Sequence, residues 1–366
     1  MGARKTAAPA QHIPTATRRA IRDALRLWFK DAARSMPWRG TRDPYAIWLS
    51  EILLQQTRVE QGTPYYERFF KAFPTVQALA KAHEDRVLKL WEGLGYYSRA
   101  RNLHKAAKII AIDRDGVFPT NAAQWETLPG VGRYTAGAIA SIALNERVPV
   151  LDGNVIRVLS RLFNIDASTD DTATRNHLWA LASELVPDDA PGDFNQAVME
   201  LGALVCTPRN PACATCPLTK RCAARAAGVQ EERPVRNAKK AVPREMWVCS
   251  VIERDGRYLV GKRPGKGLLG GLWELPAGPM RAGESHGQSL KRIAADELGL
   301  TISPGKLIAT VAHAYTHLHV SMVVYRCRVV QGEALGRTHV ETRWLTVSEL
   351  RKLALPKINL KFLELL

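Results

Sequence analysis

Four cysteines crowd into seventeen residues, Cys206, Cys213, Cys216 and Cys222, while the other two, Cys249 and Cys327, lie far away in apolar stretches. The spacing Cys-x6-Cys-x2-Cys-x5-Cys closes a compact loop of four thiolates, enough for a tetrahedral zinc ion or a 4Fe-4S cluster. Structural zinc sites more often pair two short knuckles. One short knuckle between longer arms suits a larger cubane, so spacing leans toward a cluster and leaves zinc open. Such cysteine use fits a reducing compartment with one metal site, and argues against a disulfide framework. The plain role for the metal is to brace the loop and present Arg209, Lys220, Arg221 and Arg225 to phosphates.

The loop closes a helical region. From Thr17 to about Gly228 apolar residues recur at helical spacing, as in Ile21, Leu25, Trp28 and Phe29. The stretch 228–245, GVQEERPVRNAKKAVPRE, has two prolines, five basic residues and almost no large apolar side chain, as an exposed linker would. Beyond it the pattern alternates. Trp247–Ile252, the pair Asp255-Gly256 and Tyr258–Val260 read as a hairpin, followed by a helix over 289–298 and a strand over 320–330. The expected organisation is a basic flexible tail (1–19), an all-α domain (20–227) carrying the cysteine loop (206–222), a linker (228–245) and an α+β domain (246–366). A chain of 366 residues is long enough for two cores.

Charge narrows the partner. Fifty-two Lys and Arg against 35 Asp and Glu give a formal +17, which favours a polyanion, either nucleic acid or an anionic membrane. No apolar run approaches the roughly 20 residues of a membrane span, and the N-terminus lacks the apolar core of a signal peptide. A soluble, monomeric protein of the cytoplasm, nucleoid-associated if bacterial, is expected.

Three local patterns carry chemistry. Leu128-Pro129-Gly130-Val131-Gly132-Arg133-Tyr134 joins a short helix over 122–127 to a small-residue helix over 135–144, a helix–hairpin–helix. Gly130 and Gly132 let the backbone approach a phosphate at a helix N-terminus. Glu51 has Ile47, Trp48 and Leu54 as helical neighbours, an apolar face that favours a protonated carboxyl able to act as a general acid. Asp152 ends the extended Val148–Leu151 and precedes a helix, an ordinary N-cap position whose N–H groups favour an ionised carboxylate. One neutral and one ionised carboxyl is the division of labour for breaking a glycosidic bond through an oxocarbenium-like state.

Taken together, PWR at 37–39, WLSEILLQQTRV at 48–59, GLGYYSRARNL at 93–103, LPGVGRYTAGAI at 128–139, LDGNVIRV at 151–158, FNQAVMELGA at 194–203 and the cysteine spacing resemble the helix–hairpin–helix DNA glycosylases. The likeness is greatest to their adenine glycosylase (MutY-type) branch and covers roughly residues 20 to 366. The resemblance implies a 4Fe-4S cluster on the four cysteines, and double-stranded DNA containing an A:8-oxoguanine or A:G mispair as partner. DNA would lie between a six-helix barrel and the cluster-bearing subdomain. It further implies that Glu51 protonates adenine at N7, that Asp152 stabilises the sugar cation, and that Tyr134 and Asn154 complete the catalytic set. Gln56 and Tyr96 take wedge and intercalating positions in a duplex whose base is extruded. Trp38, Arg39, Leu54 and Gln196 take positions near the adenine. Endonuclease III relatives place a Schiff-base lysine where this chain has Tyr134, so hydrolysis without strand-cleaving lyase activity is implied. The alternatives are an endonuclease III-like bifunctional glycosylase/lyase and a non-catalytic iron–sulfur DNA-binding protein.

In the second half, Gly278-x5-Glu284-x7-Arg292 followed by Ala294-Ala295-Asp296-Glu297-Leu298-Gly299-Leu300 resembles a Nudix box. It is degenerate: Ile293 stands where active hydrolases carry a metal-binding glutamate, which favours a catalytically silent recognition domain. Within the resemblance, Tyr315, Thr316 and His317 align with a Phe-Ser-His loop that inspects 8-oxoguanine. Thr316 keeps a hydroxyl and Tyr315 a stacking face. Were His313–His319 a continuous strand, its three histidines would share a face and admit a zinc site.

Overall fold

The computed structural model describes residues 12–238 and 241–366. The expected tail and linker each fall partly outside these residues. Within them the chain forms two compact units, 12–71 with 106–238, and 72–105 with 241–366. No helix of the described residues is long and apolar enough to cross a membrane.

The first unit is helical. Its elements are α1 (Thr15–Ala32), α2 (Pro44–Leu54) and α3 (Val59–Ala72), then, after the interval that belongs to the other unit, α7 (Ala122–Glu126), α8 (Arg133–Leu144), α9 (Gly153–Leu162), α10 (Thr172–Leu185), α11 (Pro191–Leu204) and the short α12 (Ala223–Ala226). Helix α1 begins inside the stretch expected as tail, because Ile13 is buried and its N–H is fixed by Glu184 Oε2 at 3.0 Å. The main core gathers Ile21 and Leu25 of α1, Val155 and Leu159 of α9, Leu178 and Leu181 of α10, and Ala197 and Leu201 of α11, the positions at helical spacing. Helices α8 and α9 are joined by an extended segment that lies close against α8: a Cβ on Gly137 would meet Pro149 O at 2.5 Å. After α12 the chain stays on this unit. Thr169 N–H donates to Val235 O at 2.9 Å and Asn237 N–H to Asp170 Oδ2 at 2.8 Å, within the stretch expected to be an exposed linker.

The second unit contains α4 (Val76–Lys81), α5 (Glu84–Trp91), most of α6 (Ser98–Lys108) and a seven-stranded mixed sheet. Its strands are β1 (Arg244–Arg254), β2 (Arg257–Lys262), β3 (Trp273–Glu274), β4 (Ala277–Pro279), β5 (Thr301–Ala314), β6 (His319–Gln331) and β7 (Glu341–Leu345). The main path runs β3-β2-β1-β6-β5, with β1 and β6 parallel. The hairpin read at Asp255-Gly256 joins β1 to β2, with both turn residues at positive φ, 52° and 70°. Strand β1 alternates between two cores. Val248 and Ile252 pack with Leu290, Ile293 and Leu298 of α13 (His286–Leu298). Cys249 and Val251 pack with Leu350 of α14 (Val347–Leu350) and Ile358 of α15 (Lys357–Leu360) on the opposite face. Ser285 and Gln288 form a capping box at the start of α13. Ser285→Ala is expected to cost about 1 kcal/mol, read as a shift of the urea midpoint at unchanged slope.

Candidate active site

Helix α2 is started by Asp43, whose carboxylate accepts from Tyr45 N at 2.9 Å, and by Pro44 in the first turn. Nearly every side chain after that is buried, including Ile47 and Trp48, so Glu51 emerges from an apolar helix. Burial pushes its carboxyl up to about 7; the Tyr134 hydroxyl, donating to Oε2 at 2.8 Å, partly offsets this, and nearby Asp152 adds to it. Tyr134 stands on the first turn of α8, two residues after Gly132. In the hairpin itself Gly130 has φ 79° and needs glycine, while Gly132 is exposed, with nothing within 4 Å of an added Cβ. That open backbone at the start of α8 fits a phosphate approach.

Asp152 caps α9: Oδ1 accepts from Val155 N at 2.7 Å and Oδ2 from Asn154 Nδ2 at 2.9 Å. The expectation from the helix N-terminus was simply an ionised group. Instead burial raises the Asp152 pKa, against the pull of Val155, Asn154 and the more distant Arg157. Asp152 still has more donors aimed at its oxygens than Glu51 has, so its anion is the better stabilised of the two. Arg157 was missed in the sequence, although it lies one turn along α9 from Asn154. Its guanidinium donates to Asn154 Oδ1 at 2.8 Å, Gly202 O at 2.7 Å and Cys206 O at 2.6 Å. Gly202 has no room for a side chain, since a Cβ would lie 2.6 Å from Asn154 Cβ.

A third set was also missed, apart from Trp38, Arg39 and Gln196. Glu200, buried on α11, accepts from Arg34 at 2.7 Å and Arg39 at 3.2 Å. Burial would raise its pKa, but Arg34 holds it below the ordinary value. Arg39 also donates to Gln196 Oε1 at 3.0 Å and sits 5.1 Å from the Phe29 ring centroid. Trp38 packs edge-on to Tyr66 at 4.9 Å.

These groups share one cleft of about 940 Å³, lined by Glu51, Asp152, Tyr134, Asn154, Trp38, Arg39, Leu54, Gln56 and Gln196 together with Arg34, Arg157, Met199 and Glu200. The volume admits a base with its sugar. Gln56 is exposed at the end of α2 in a left-handed conformation, φ 57°. Tyr96 is not part of this cleft. It belongs to the second unit, where its hydroxyl lies 2.6 Å from Thr316 Oγ1.

In that unit Tyr315–Leu318 is a tight turn between β5 and β6, closed by Tyr315 N–H to Leu318 O at 2.8 Å. The segment is therefore a hairpin end rather than one extended strand. Ala314 pairs with His319, so His313 and His319 stand on opposite arms. No zinc set forms there among the described residues. Tyr315 leans on the core, and Thr316 and His317 are exposed. In the Nudix-like segment Ile293 is buried, packing beside Gly278, and Glu284 binds Arg292 at 2.7 Å and Ser289 at 2.6 Å. The arginine and glutamate of the box are thereby used on each other, and the helix is held by apolar packing.

Cys206, Cys213, Cys216 and Cys222 line a common cavity with Arg161 and Arg225. Among the described residues no group of three His, Cys, Asp or Glu is set to hold a metal ion. The chemistry of the set fits an anionic iron–sulfur group. Buried Arg161 donates to Cys206 Sγ at 3.3 Å, and its other partners are the carbonyls of Thr207, Pro208 and Arg233. A buried cation surrounded by carbonyls and a sulfur suits thiolates carrying negative charge.

Residues 49–184 match the family model of the HhH-GPD superfamily base excision DNA repair proteins, and 247–365 that of the NUDIX domain. The chain is 36% identical to the adenine DNA glycosylase of Rattus norvegicus over 92% of its own length and 75% of the relative's. It is 32% identical to that of Buchnera aphidicola subsp. Acyrthosiphon pisum, covering 93% and 95% of the two chains. A solved thermostable thymine-DNA glycosylase superposes with a TM-score of 0.53 at 31% identity, over 57% of this chain and 97% of that one.

Proposed function

Because this chain belongs to the adenine DNA glycosylases, base-excision repair enzymes of the HhH-GPD superfamily with a Nudix-like second domain, we propose that its cleft hydrolyses the N-glycosidic bond of adenine paired with 8-oxoguanine or guanine in double-stranded DNA. The observation that carries this reading is Glu51, poised near neutrality by burial, in the same cleft as the donor-rich carboxylate of Asp152. Extruding a base from the duplex costs a few kcal/mol, and Gln56 and Tyr96 take the wedge roles that fill the gap. Once the base is seated, Glu51 gives its proton to adenine N7. The bond between the sugar and N9 then breaks, its electron pair leaving with the base. The sugar cation faces the Asp152 carboxylate, held in place by Val155 N and Asn154. Water adds to the sugar and returns a proton to the site. Tyr134 orients Glu51 through its hydroxyl and supplies no amine, so no Schiff base with the sugar forms and strand cleavage is not part of the reaction.

The second unit supplies recognition of the opposite base through Tyr315, Thr316 and His317, with the degenerate Nudix-like box silent in hydrolysis. The four cysteines hold a 4Fe-4S cluster whose contribution is to brace the loop carrying Arg209, Lys220, Arg221 and Arg225. Purified anaerobically, the protein is expected to carry about four irons per chain with visible absorption near that of a cubane cluster. Iron-free protein of undiminished stability would remove the cluster from this reading.

The decisive assay is a labelled duplex with A opposite 8-oxoguanine, incubated with the protein and treated with alkali. Cleavage at the adenine position is expected, and borohydride should trap little covalent adduct. An intact strand after alkali would overturn the proposal.

A further inference from the structure

The Nudix-like segment keeps two carboxylates close to one another, Glu274 on β3 and Glu297 near the end of α13. In a working box such carboxylates converge on a divalent cation, which needs several oxygens free to bind it. The residues present do not fit one. Ile293 offers only a buried apolar side chain, and Glu284 is bound to Arg292 and Ser289. Glu274, 4% exposed, accepts at Oε1 from Arg263 Nη1 at 2.6 Å, and His339 Nε2 lies 3.2 Å from the same oxygen. Burial pushes the Glu297 carboxyl up to about 7 and Glu274 adds to this, while His339 and Arg263 pull it down. Glu297 Oε2 is buried with no hydrogen-bond partner among the described residues. Its compensation is charge at a short distance, from His339 and Arg263.

Both donors are built into the fold. Arg263 directly follows β2, and its Nε donates to Leu268 O at 2.9 Å, which aims the other end of the guanidinium at Glu274. His339 comes from the segment 332–340 between β6 and β7. Leu335 N–H donates to Leu298 O at 2.8 Å, Arg337 N–H to Glu297 O at 2.9 Å and Arg337 Nη1 to Ala295 O at 3.1 Å. These bonds serve carbonyls that the C-terminus of α13 would otherwise leave open, and they set a cation at the negative end of the helix. Held there, the segment inserts His339, 6% exposed, against β2, where a Cβ on Gly261 would lie 2.4 Å from the imidazole. Building on the reading of the box as silent in hydrolysis, on which this rests, we propose that Arg263 and His339 are in-chain substitutes for the divalent cation of a Nudix site. They neutralise Glu274 and Glu297 and cross-link β2, β3, α13 and the segment 332–340. The second unit is thereby stable without a metal ion, and its carboxylate cradle is closed to one.

The test is metal rescue in the full-length protein, followed by calorimetric unfolding and by the EPR signal of free Mn²⁺. Wild-type protein is expected to melt at the same temperature with and without millimolar Mn²⁺, and to leave the signal of the free ion undiminished. Arg263→Met keeps an apolar stem and removes the charge. It should lower the melting of the second unit by about 5–10 °C, the scale for losing one partner of a largely buried pair. Mn²⁺ should then restore at least half of that loss, with about one ion per chain leaving the free pool. His339→Gln keeps a donor but carries no charge, so a smaller loss and the same rescue are expected; it serves as the test if Arg263→Met does not fold. Adding Glu297→Gln to either variant should abolish the rescue, which a merely structural ion pair would not show at all. Melting of the variants that Mn²⁺ leaves unchanged overturns the substitution, as does Mn²⁺ binding by the wild type that Glu297→Gln removes. Pyrophosphate release from a nucleoside triphosphate by the wild type with Mg²⁺ fails the silent-box reading instead, a result visible before any variant is made.

Discussion

Glu51→Gln is expected to lower the single-turnover rate of adenine excision by about 10³-fold, the range of a positioned general acid, while leaving duplex binding in place. Glutamine keeps the volume and still accepts from the Tyr134 hydroxyl, but it has no proton of suitable acidity for N7. The pH profile of the wild type should identify the same group. Only the protonated carboxyl can donate, and its pKa lies at about 7, so the rate should fall about ten-fold for each pH unit well above that value. Stability gives an independent reading of the same residue. At low pH Glu51 is protonated in both the folded and unfolded chain. Between its ordinary value of 4.5 and about 7 the unfolded chain gives up the proton and the folded one keeps it, so the folded state loses ground as pH rises. The loss is on the order of 3 kcal/mol, from a rise of about 2.5 units at 1.36 kcal/mol per unit. Glu51→Gln removes it, so the variant should match the wild type near pH 4 and exceed its Tm near pH 8. An inactive variant that is also less stable at pH 8 would mean that Glu51 is held ionised by partners, and the acid role would fall.

Asp152→Asn should cost about 10²- to 10³-fold in the same rate, the scale found when one stabilising group is removed from a developing charge. Asparagine caps helices about as well as aspartate, so the bond from Val155 N to Oδ1 survives and α9 keeps its start. What changes is the charge facing the sugar and the partner of Asn154, since an amide nitrogen now stands where Oδ2 accepted from Asn154 Nδ2. The measurement is the excision rate alongside the unfolding midpoint. A rate within a few-fold of wild type, with the midpoint unchanged, would leave Asp152 only its capping duty and require the sugar cation to be stabilised elsewhere.

Much of this site was legible residue by residue. The Asp152 cap, the glycine hairpin before Tyr134, the apolar neighbours of Glu51 and the turn at Asp255-Gly256 are short-range patterns, set by the backbone donors and acceptors within one helical turn or one hairpin. The change from helical spacing to alternation likewise marked where strands begin. The segment 313–319 misled for the same reason: alternating histidines fit a strand locally, and only the pairing of β5 with β6 made them the two arms of a turn.

The sequence by itself determined which residue types were available, their helical faces, the cap and hairpin positions, and, through its motifs, the family. Tertiary structure alone decided what charge those residues carry and which of them act together. Glu51 receives its hydrogen bond from a tyrosine 83 positions away, Arg157 ties Asn154 to the backbone of Cys206 49 positions on, and Tyr96 meets Thr316 across 220 residues. These distances are set by how the cores bury their apolar faces, and a carboxyl's proton affinity follows from the desolvation and donors that this burial imposes. Local sequence carries neither quantity, which is why Asp152 could be recognised as a cap, while the upward push of burial on its pKa, and the donors that oppose it, emerged only in the folded cleft.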